Sequence, residues 1–117
     1  CALPISDSIA VGVPRNPCKA QRAVSASGGQ WIAVTDDEIL AAMRLLGRME
    51  GVFGEPAGVT ATAGVKRAVE MGIIKSGETV TTICTGSGLK DVKNALKAAG
   101  EPLRCDPKDP LALDKLF

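Results

Sequence analysis

The sequence predicts an α/β fold in which a partial open parallel sheet is flanked by helices. Strand-like runs alternate with helix-like runs along the chain, and this order is typical of parallel sheets with crossover helices. The two clearest strands, Trp31 to Val34 and Thr79 to Thr85, are apolar or β-branched, so both faces should be buried. Two or three strands make a poor sheet alone. We therefore expect residues 1–117 to form a single incomplete domain, whose sheet is completed by polypeptide outside this sequence or by a partner.

The N-terminal part is predicted to contain an extended segment and a helix. From Ala2 to Val13, apolar residues alternate with small ones, and a proline then ends the run. Asn16 and Pro17 follow as an N-cap and a first helical position. This first helix should end near Ser27, just before two glycines.

The second helix is predicted to begin with a capping box. Thr35 stands three residues before Glu38, and the helix behind them should extend to about Arg48. Asp36 and Asp37 add two more carboxylates to the first turn. Three neighbouring acids could be considered as metal ligands, but carboxylates at a helix start interact favourably with the helix dipole. No metal site is therefore predicted.

The third helix is predicted to begin at Glu55 and Pro56 and to end near Gly72. It consists largely of small residues, and Gly58 and Gly64 are among them. Because glycine destabilises a helix interior, these glycines predict close approach by another backbone or by a ligand.

The last predicted elements follow a glycine turn after Thr85. A helix from Leu89 to Ala99 carries three lysines at helical spacing, which we interpret as a solvated face: Lys90, Lys93 and Lys97. A short strand is predicted from Leu103 to Cys105. Residues 106–117 are predicted to form an irregular tail with a short terminal helix from Ala112.

The composition excludes several functional classes. The chain contains no His, which removes His-based general-base catalysis, the Ser-His-Asp triad and most zinc sites. A formal net charge of +1 and an aromatic content of 3% give no basis for binding nucleic acid or an acidic membrane. No signal peptide is recognisable, and no apolar run approaches the length that spans a bilayer.

The cysteines indicate a reduced protein. There are four, and none of them has the Cys-x-x-Cys spacing of a zinc knuckle or a thioredoxin motif. Cys84 lies inside a predicted apolar strand and should be a buried thiol. We therefore expect a cytoplasmic protein. Because the chain begins with Cys1 rather than Met, within an extended segment, we expect a piece of a longer polypeptide or a processed product.

The first stretch that could carry chemistry is Thr85-Gly86-Ser87-Gly88. It follows a predicted strand, and ligands bind at the carboxyl ends of strands in open α/β sheets. Two hydroxyls flank glycines that let a ligand approach the backbone, and amides at the following helix start could hold an anion. A simple tight turn explains the same spacing equally well. The pattern is neither a dinucleotide fingerprint nor a P-loop.

The second such stretch is Glu55-Pro56-Ala57-Gly58. A carboxylate just ahead of a helix is favoured by the helix dipole, and this accounts for Glu55 without any ligand. Alternatively, Glu55 is aimed into a pocket in which the small residues behind it leave room for a ligand. The residues by themselves leave both interpretations open.

Together the two stretches resemble the C-terminal part of the threonine synthase family. The most specific string is Thr85-Gly86-Ser87-Gly88-Leu89-Lys90-Asp91, and the resemblance extends roughly from Ser6 to Lys97. Members are pyridoxal-phosphate enzymes of the tryptophan-synthase-β fold group. The resemblance therefore implies the C-terminal part of the large domain of a fold-type-II pyridoxal-phosphate enzyme.

Two positions depart from the family pattern. The family often has His where Ser87 stands, and a more alanine-rich run where Val59 and Thr60 stand. These departures leave other members of the fold group open as alternatives, namely a serine/threonine dehydratase or a cysteate-synthase-like enzyme that uses phosphoserine.

The resemblance also implies cofactor-binding residues. The side chain matching Thr85 hydrogen-bonds the pyridine nitrogen of pyridoxal 5'-phosphate, and Gly86 gives the cofactor room. Glu55 matches a glutamate near the cofactor pocket, and Ser8 matches a segment that lies against the cofactor ring or the substrate. A neutral hydroxyl at the ring nitrogen does not enforce its protonation, which suits elimination and replacement chemistry.

Finally, the resemblance implies what must come from elsewhere. The Schiff-base lysine and the phosphate-binding loop lie upstream in the family, so no catalytic residue is assigned here and the piece alone should be inactive. The complete enzyme would be a homodimer that converts O-phosphohomoserine and water to threonine and phosphate. Its partners would be this phosphorylated amino acid and the missing N-terminal half. Interpretations from other classes are a non-catalytic module that binds a phosphorylated ligand, and a subunit that completes another chain's sheet.

Overall fold

A computed structural model describes residues 4–100 and Lys108. Within them the chain forms four α-helices, which are α1 (Pro17–Ala26), α2 (Asp36–Glu50), α3 (Pro56–Glu70) and α4 (Val92–Ala99). Two short 3-10 turns, Asp7–Ile9 and Gly88–Lys90, complete the regular structure of this part. None of the described helices is long and apolar enough to cross a membrane.

The predicted parallel sheet is not found in the described part of the chain, where no strand forms. The β-type pairing found in residues 4–100 is an isolated antiparallel bridge between Gly54 and Ser87. Residues 31–34 and 79–85 form no ladder, and every residue from 79 to 85 is exposed. Backbone groups of a strand need a neighbouring strand as hydrogen-bond partner. The pattern of β-branched residues indicates strand formers, but no described segment lies beside them as a partner.

Two further predictions are wrong for the described residues. Cys84 is exposed rather than buried, because the segment that contains it has no neighbouring strand among the described residues. The extended segment predicted from Ala2 is interrupted by the 3-10 turn Asp7–Ile9, and its apolar side chains are exposed, with Val13 at 82%. Its first residues lie outside the described part, as do the strand predicted at 103–105 and nearly all of the tail.

The helices were predicted well because their boundaries depend on local signals. Thr35 and Glu38 form the capping box at the start of α2: the Thr35 amide donates to Glu38 Oε2 at 2.6 Å, and the Glu38 amide donates to Thr35 Oγ1 at 3.3 Å. Gly51 ends this helix with a left-handed φ of 66°. Pro17 and Pro56 occupy first positions as predicted. Asn16 precedes α1 but makes no side-chain cap, which corrects its predicted role.

The core lies where α2 packs against α3 and α4. Its buried members are aliphatic residues and one methionine from these three helices: Ile39, Ala42, Met43, Val59, Ala63 and Ala98. Two polar contacts close the edges of this core. Arg67 Nη1 lies 2.6 Å from Glu38 Oε1, and Arg44 Nη1 donates to the Ala98 carbonyl at 3.3 Å. By contrast, α1 contains no buried residue.

The last helix begins three residues later than predicted. Leu89 belongs to the 3-10 turn, in which its amide donates to Ser87 Oγ at 3.3 Å. Asp91 then caps α4 by accepting from the Asn94 amide at 3.1 Å. The three lysines predicted to face solvent are exposed.

Candidate functional site

The two stretches that could carry chemistry lie directly against each other. The Glu55 amide donates to the Gly86 carbonyl at 2.8 Å, and the Gly88 amide donates to the Phe53 carbonyl at 2.8 Å. These two hydrogen bonds flank the bridge between Gly54 and Ser87. The start of α3 and the turn after Thr85 therefore form one structural unit, although about thirty residues separate them in the sequence.

Glycines in both stretches permit this contact. A Cβ built on Gly58 would lie 3.0 Å from the Gly86 nitrogen and 3.2 Å from the Thr85 nitrogen. A Cβ on Gly88 would lie 2.6 Å from the Phe53 ring and 3.0 Å from the Gly54 carbonyl oxygen. Of the two roles predicted for the glycines of α3, Gly58 therefore serves approach by another backbone. A Cβ on Gly64 would meet no atom of the described residues within 4 Å, so no close approach is found there.

Glu55 turns its carboxylate towards the glycine turn rather than onto the start of its own helix. Its side chain makes no cap hydrogen bond to α3 and is only 14% exposed. One face of the side chain lies on Gly86, where a Cβ would come within 2.9 Å of Glu55 Cγ. Glu55 Oε2 lies 3.4 Å from Lys90 Nζ. The simple helix-dipole explanation of this carboxylate is therefore incomplete.

Thr85 presents a hydroxyl that is available to a ligand. The residue is exposed, and its side chain makes no hydrogen bond within the described part of the chain. The neighbouring Ser87 hydroxyl is instead occupied by the Leu89 amide. Among the hydroxyls of the turn, Thr85 is thus the better placed to receive a polar group.

The start of α4 does not suit the anion considered for this turn. Asp91 already places a carboxylate there as the helix cap, and a second negative charge would be repelled. The pKa of Asp91 is lowered below its ordinary value, first by the hydrogen bond from the Asn94 side chain and then by the Asn94 amide. The cap is therefore ionised at neutral pH.

Ser8 and two unpredicted residues complete the picture. Ser8 is exposed on the 3-10 turn Asp7–Ile9, which packs against α3, and no hydrogen bond joins it to Glu55 or Thr85 in the described residues. Phe53 was missed because it lies in a connection without a pattern. Lys90 was interpreted only as part of a solvated face, although it stands inside the most specific string.

The comparison with known families decides the class. A family model described as "Pyridoxal-phosphate dependent enzyme" matches residues 3–86. The chain belongs to the pyridoxal-phosphate dependent enzyme family. The match covers Ser8, Glu55 and Thr85 and ends at Gly86.

Within this family the chain is similar to curated threonine synthases. It is 46% identical over 104 residues to that of Methanocaldococcus jannaschii, a match covering 87% of this chain and 26% of the relative. It is 42% identical over 102 residues to that of Methanosarcina acetivorans, covering 87% and 25%. It is 44% identical over 93 residues to that of Mycobacterium leprae, covering 80% and 26%. The chain spans about a quarter of the length of these relatives.

The residues at this junction fit one edge of a pyridoxal-phosphate site. Thr85 offers an uncharged hydroxyl without a partner in the described residues, next to a backbone that carries no side chain at Gly86. The chemistry of a hydroxyl donor and acceptor is suited to a pyridine nitrogen. For this family the junction is therefore a candidate contact with the ring, and the glycines around it hold protein backbone together.

Proposed function

We propose that this chain is the C-terminal part of a threonine synthase, a pyridoxal-phosphate enzyme that converts O-phosphohomoserine and water to threonine and phosphate. The observation that carries the proposal is the junction of Glu55 with Gly86, which unites the two stretches shared with that family. Identities above 40% to the three threonine synthases described above support the same assignment.

In this proposal each residue of the chain has a modest role. Thr85 donates or accepts a hydrogen bond at the pyridine nitrogen, and the ring approaches Gly86 on the face that Glu55 does not cover. Glu55 supports the turn through its contact with Gly86, and Ser8 lies against the ring or the substrate. Bound pyridoxal phosphate supplies an electron sink, and a neutral hydroxyl moderates it because it does not hold the ring nitrogen protonated.

The chain alone would be inactive, and the complete enzyme would supply the rest. A nucleophilic lysine is needed to bind the cofactor covalently, and no lysine of this sequence lies in the family's lysine motif. We infer that the upstream polypeptide brings this lysine and the neighbouring strands for residues 79–85. We further infer a homodimer in the cytoplasm, consistent with Cys18 and Cys84 being free thiols.

Cofactor loading tests the class. The intact polypeptide and the 117-residue chain would each be mixed with pyridoxal phosphate, reduced with borohydride and mapped by mass spectrometry. We expect one modified lysine in the intact polypeptide, upstream of this sequence, and no stoichiometric adduct on the chain alone. A stoichiometric adduct on one lysine of this sequence would contradict the proposal.

Substrate comparison tests the reaction. We expect the intact enzyme to release phosphate from O-phosphohomoserine and form threonine. The departures at Ser87, Val59 and Thr60 keep two alternatives in the same assay. Ammonia release from threonine would indicate a dehydratase, and turnover of O-phosphoserine would indicate a cysteate-synthase-like enzyme. A non-catalytic phosphate-binding module has less support, because Asp91 occupies the start of α4.

A further inference from the structure

We propose that Lys90 is a positioning residue, which pairs with Glu55 to hold the turn of residues 85–88 against the start of α3. The pair, called the Glu55–Lys90 latch below, joins Lys90 Nζ to Glu55 Oε2 at 3.4 Å. The latch itself is independent of the proposed function. Its consequence for the cofactor, through Thr85, rests on that function.

The carboxylate of Glu55 depends on Lys90 for compensation. Its side chain is 14% exposed, and it makes no hydrogen bond to any described residue. A carboxylate withdrawn from water is destabilising unless a donor or a positive charge faces it. The only ion pair that the described residues form with it is the one to Lys90. Removing this ammonium would leave the carboxylate pressed on Gly86 without compensation.

Lys90 belongs to the same hydrogen-bonded turn as Ser87 and Gly88. The Lys90 amide donates to the Ser87 carbonyl at 3.2 Å, and the Asp91 amide donates to the Gly88 carbonyl at 3.2 Å. The ammonium of Lys90 is therefore carried by the same 3-10 turn that follows Gly86. Attraction between Lys90 and Glu55 consequently draws the whole turn towards α3, in the direction of the hydrogen bonds at Glu55 and Gly88.

The position of Thr85 is determined from its C-terminal side. Residues 79–85 make no backbone hydrogen bond to another described residue, and the contact described just before Thr85 is the packing of Cys84 Sγ against Gly54. Gly86, which follows it, is held by the Glu55 amide and by the Glu55 side chain. Loosening the latch should therefore displace the Thr85 hydroxyl before it disturbs the helical core.

Hydrogen exchange in the complete natural polypeptide, without cofactor, tests the latch. In Lys90→Met we expect exchange at the Glu55 and Gly88 amides to be about two- to fivefold faster. This acceleration corresponds to the loss of the stabilisation that an exposed ion pair typically provides. Lys90→Arg should restore the slow rate. Lys19→Met is the matched control, since Lys19 is exposed on α1 and has no hydrogen bond or ion pair among the described residues. Equal rates in Lys90→Met and Lys19→Met, or equal acceleration throughout α2, would overturn the latch.

The loaded enzyme tests the consequence for Thr85. With pyridoxal phosphate bound, we expect Lys90→Met to shift the pH midpoint of the cofactor's visible absorption band, and Lys19→Met to leave it unchanged. An unchanged midpoint in Lys90→Met, with exchange accelerated, would overturn the link to Thr85. If the intact polypeptide bound no pyridoxal phosphate, the proposed function would fail, and the exchange experiment would still decide the latch.

Discussion

Gly58 and Gly86 lie close enough that a single methyl group at position 58 would be 3.0 Å from the Gly86 nitrogen. The contact joins the first turn of α3 to the turn that follows Thr85. Backbone atoms occupy the space on the side of Gly86, so a new methyl group could be accommodated only by a shift of the chain itself.

The first prediction concerns this contact. Gly58→Ala should destabilise the intact protein by about 1 kcal/mol, because an overpacking cost of about 1–3 kcal/mol exceeds a helix-propensity gain of up to about 1 kcal/mol. Gly64→Ala is the control on the same helix, and its methyl group would meet open space. It should be stabilising. Urea unfolding midpoints of both variants check the prediction, and two stabilised variants would refute it.

The second prediction concerns Thr85. Thr85→Ala in the complete enzyme should lower kcat about tenfold, which corresponds to the loss of one hydrogen bond worth about 1–1.5 kcal/mol. Thr85→Ser should retain most of the activity. Thr82→Ala is the control, because Thr82 is an exposed threonine of the same segment. Steady-state kinetics with circular dichroism separates a catalytic effect from misfolding. Unchanged kinetics in Thr85→Ala would mean that the cofactor assignment is wrong.

The third prediction concerns pH and the capping box of α2. The pKa of Glu38 is lowered from its ordinary value of 4.5, mainly by the hydrogen bond from the Thr35 amide and then by Arg67. The unfolded state therefore binds the proton more readily than the folded state. This contribution to stability is complete above the unfolded pKa of 4.5 and is lost as the pH falls through the folded pKa.

Glu38→Gln is the variant that measures this contribution, because Gln can still complete a capping box but does not titrate. Between about pH 6 and about pH 3, the wild type should lose more stability than Glu38→Gln. Urea midpoints across this range provide the measurement. Parallel curves for the two proteins would show that Glu38 does not contribute to the pH dependence.

The fourth prediction concerns Cys84. Residues 79–85 have no regular secondary structure and make no backbone hydrogen bond to the rest of the described chain. If upstream strands of the complete polypeptide cover them, Cys84 should react with iodoacetamide at least about tenfold more slowly there than in the unfolded protein. Mass spectrometry of quenched samples gives the rate. Equal rates in folded and urea-unfolded protein would exclude such a cover.

The contrast between helices and strands shows what the sequence could predict. Thr35, Glu38 and Pro56 determine helix starts through contacts within one turn, so their pattern was sufficient. A strand at residues 79–85 needs a partner elsewhere, and its own residues carry no information about where that partner lies. The start of α4 was misplaced because Leu89 joins a 3-10 turn that depends on Ser87, four residues before the Asp91 cap.

The candidate site was predicted in part. That Glu55 and Thr85 belong to one region followed from the resemblance, and the hydrogen bond between Glu55 and Gly86 brings their segments together. The pairing of Glu55 with Lys90 could not be predicted from helical spacing. It arises because Lys90 lies in the 3-10 turn, which places its ammonium near Glu55 at the start of α3. In a continuous helix from Leu89, Lys90 would instead share one face with Lys93 and Lys97.

The three positions after Thr85 differ sharply in the freedom they leave to evolution. Side chains at 86 and 88 would collide with Glu55 and with Phe53, whereas the side chain at 87 is exposed. In a library that samples every amino acid here, substitutions should be rejected at 86, accepted at 87 and rejected at 88. Position 87 is therefore where related enzymes can diverge without a steric clash, and the Ser of this chain stands there in place of the family's frequent His. The cost of exchange at this position is the hydrogen bond that the Leu89 amide donates to Ser87 Oγ.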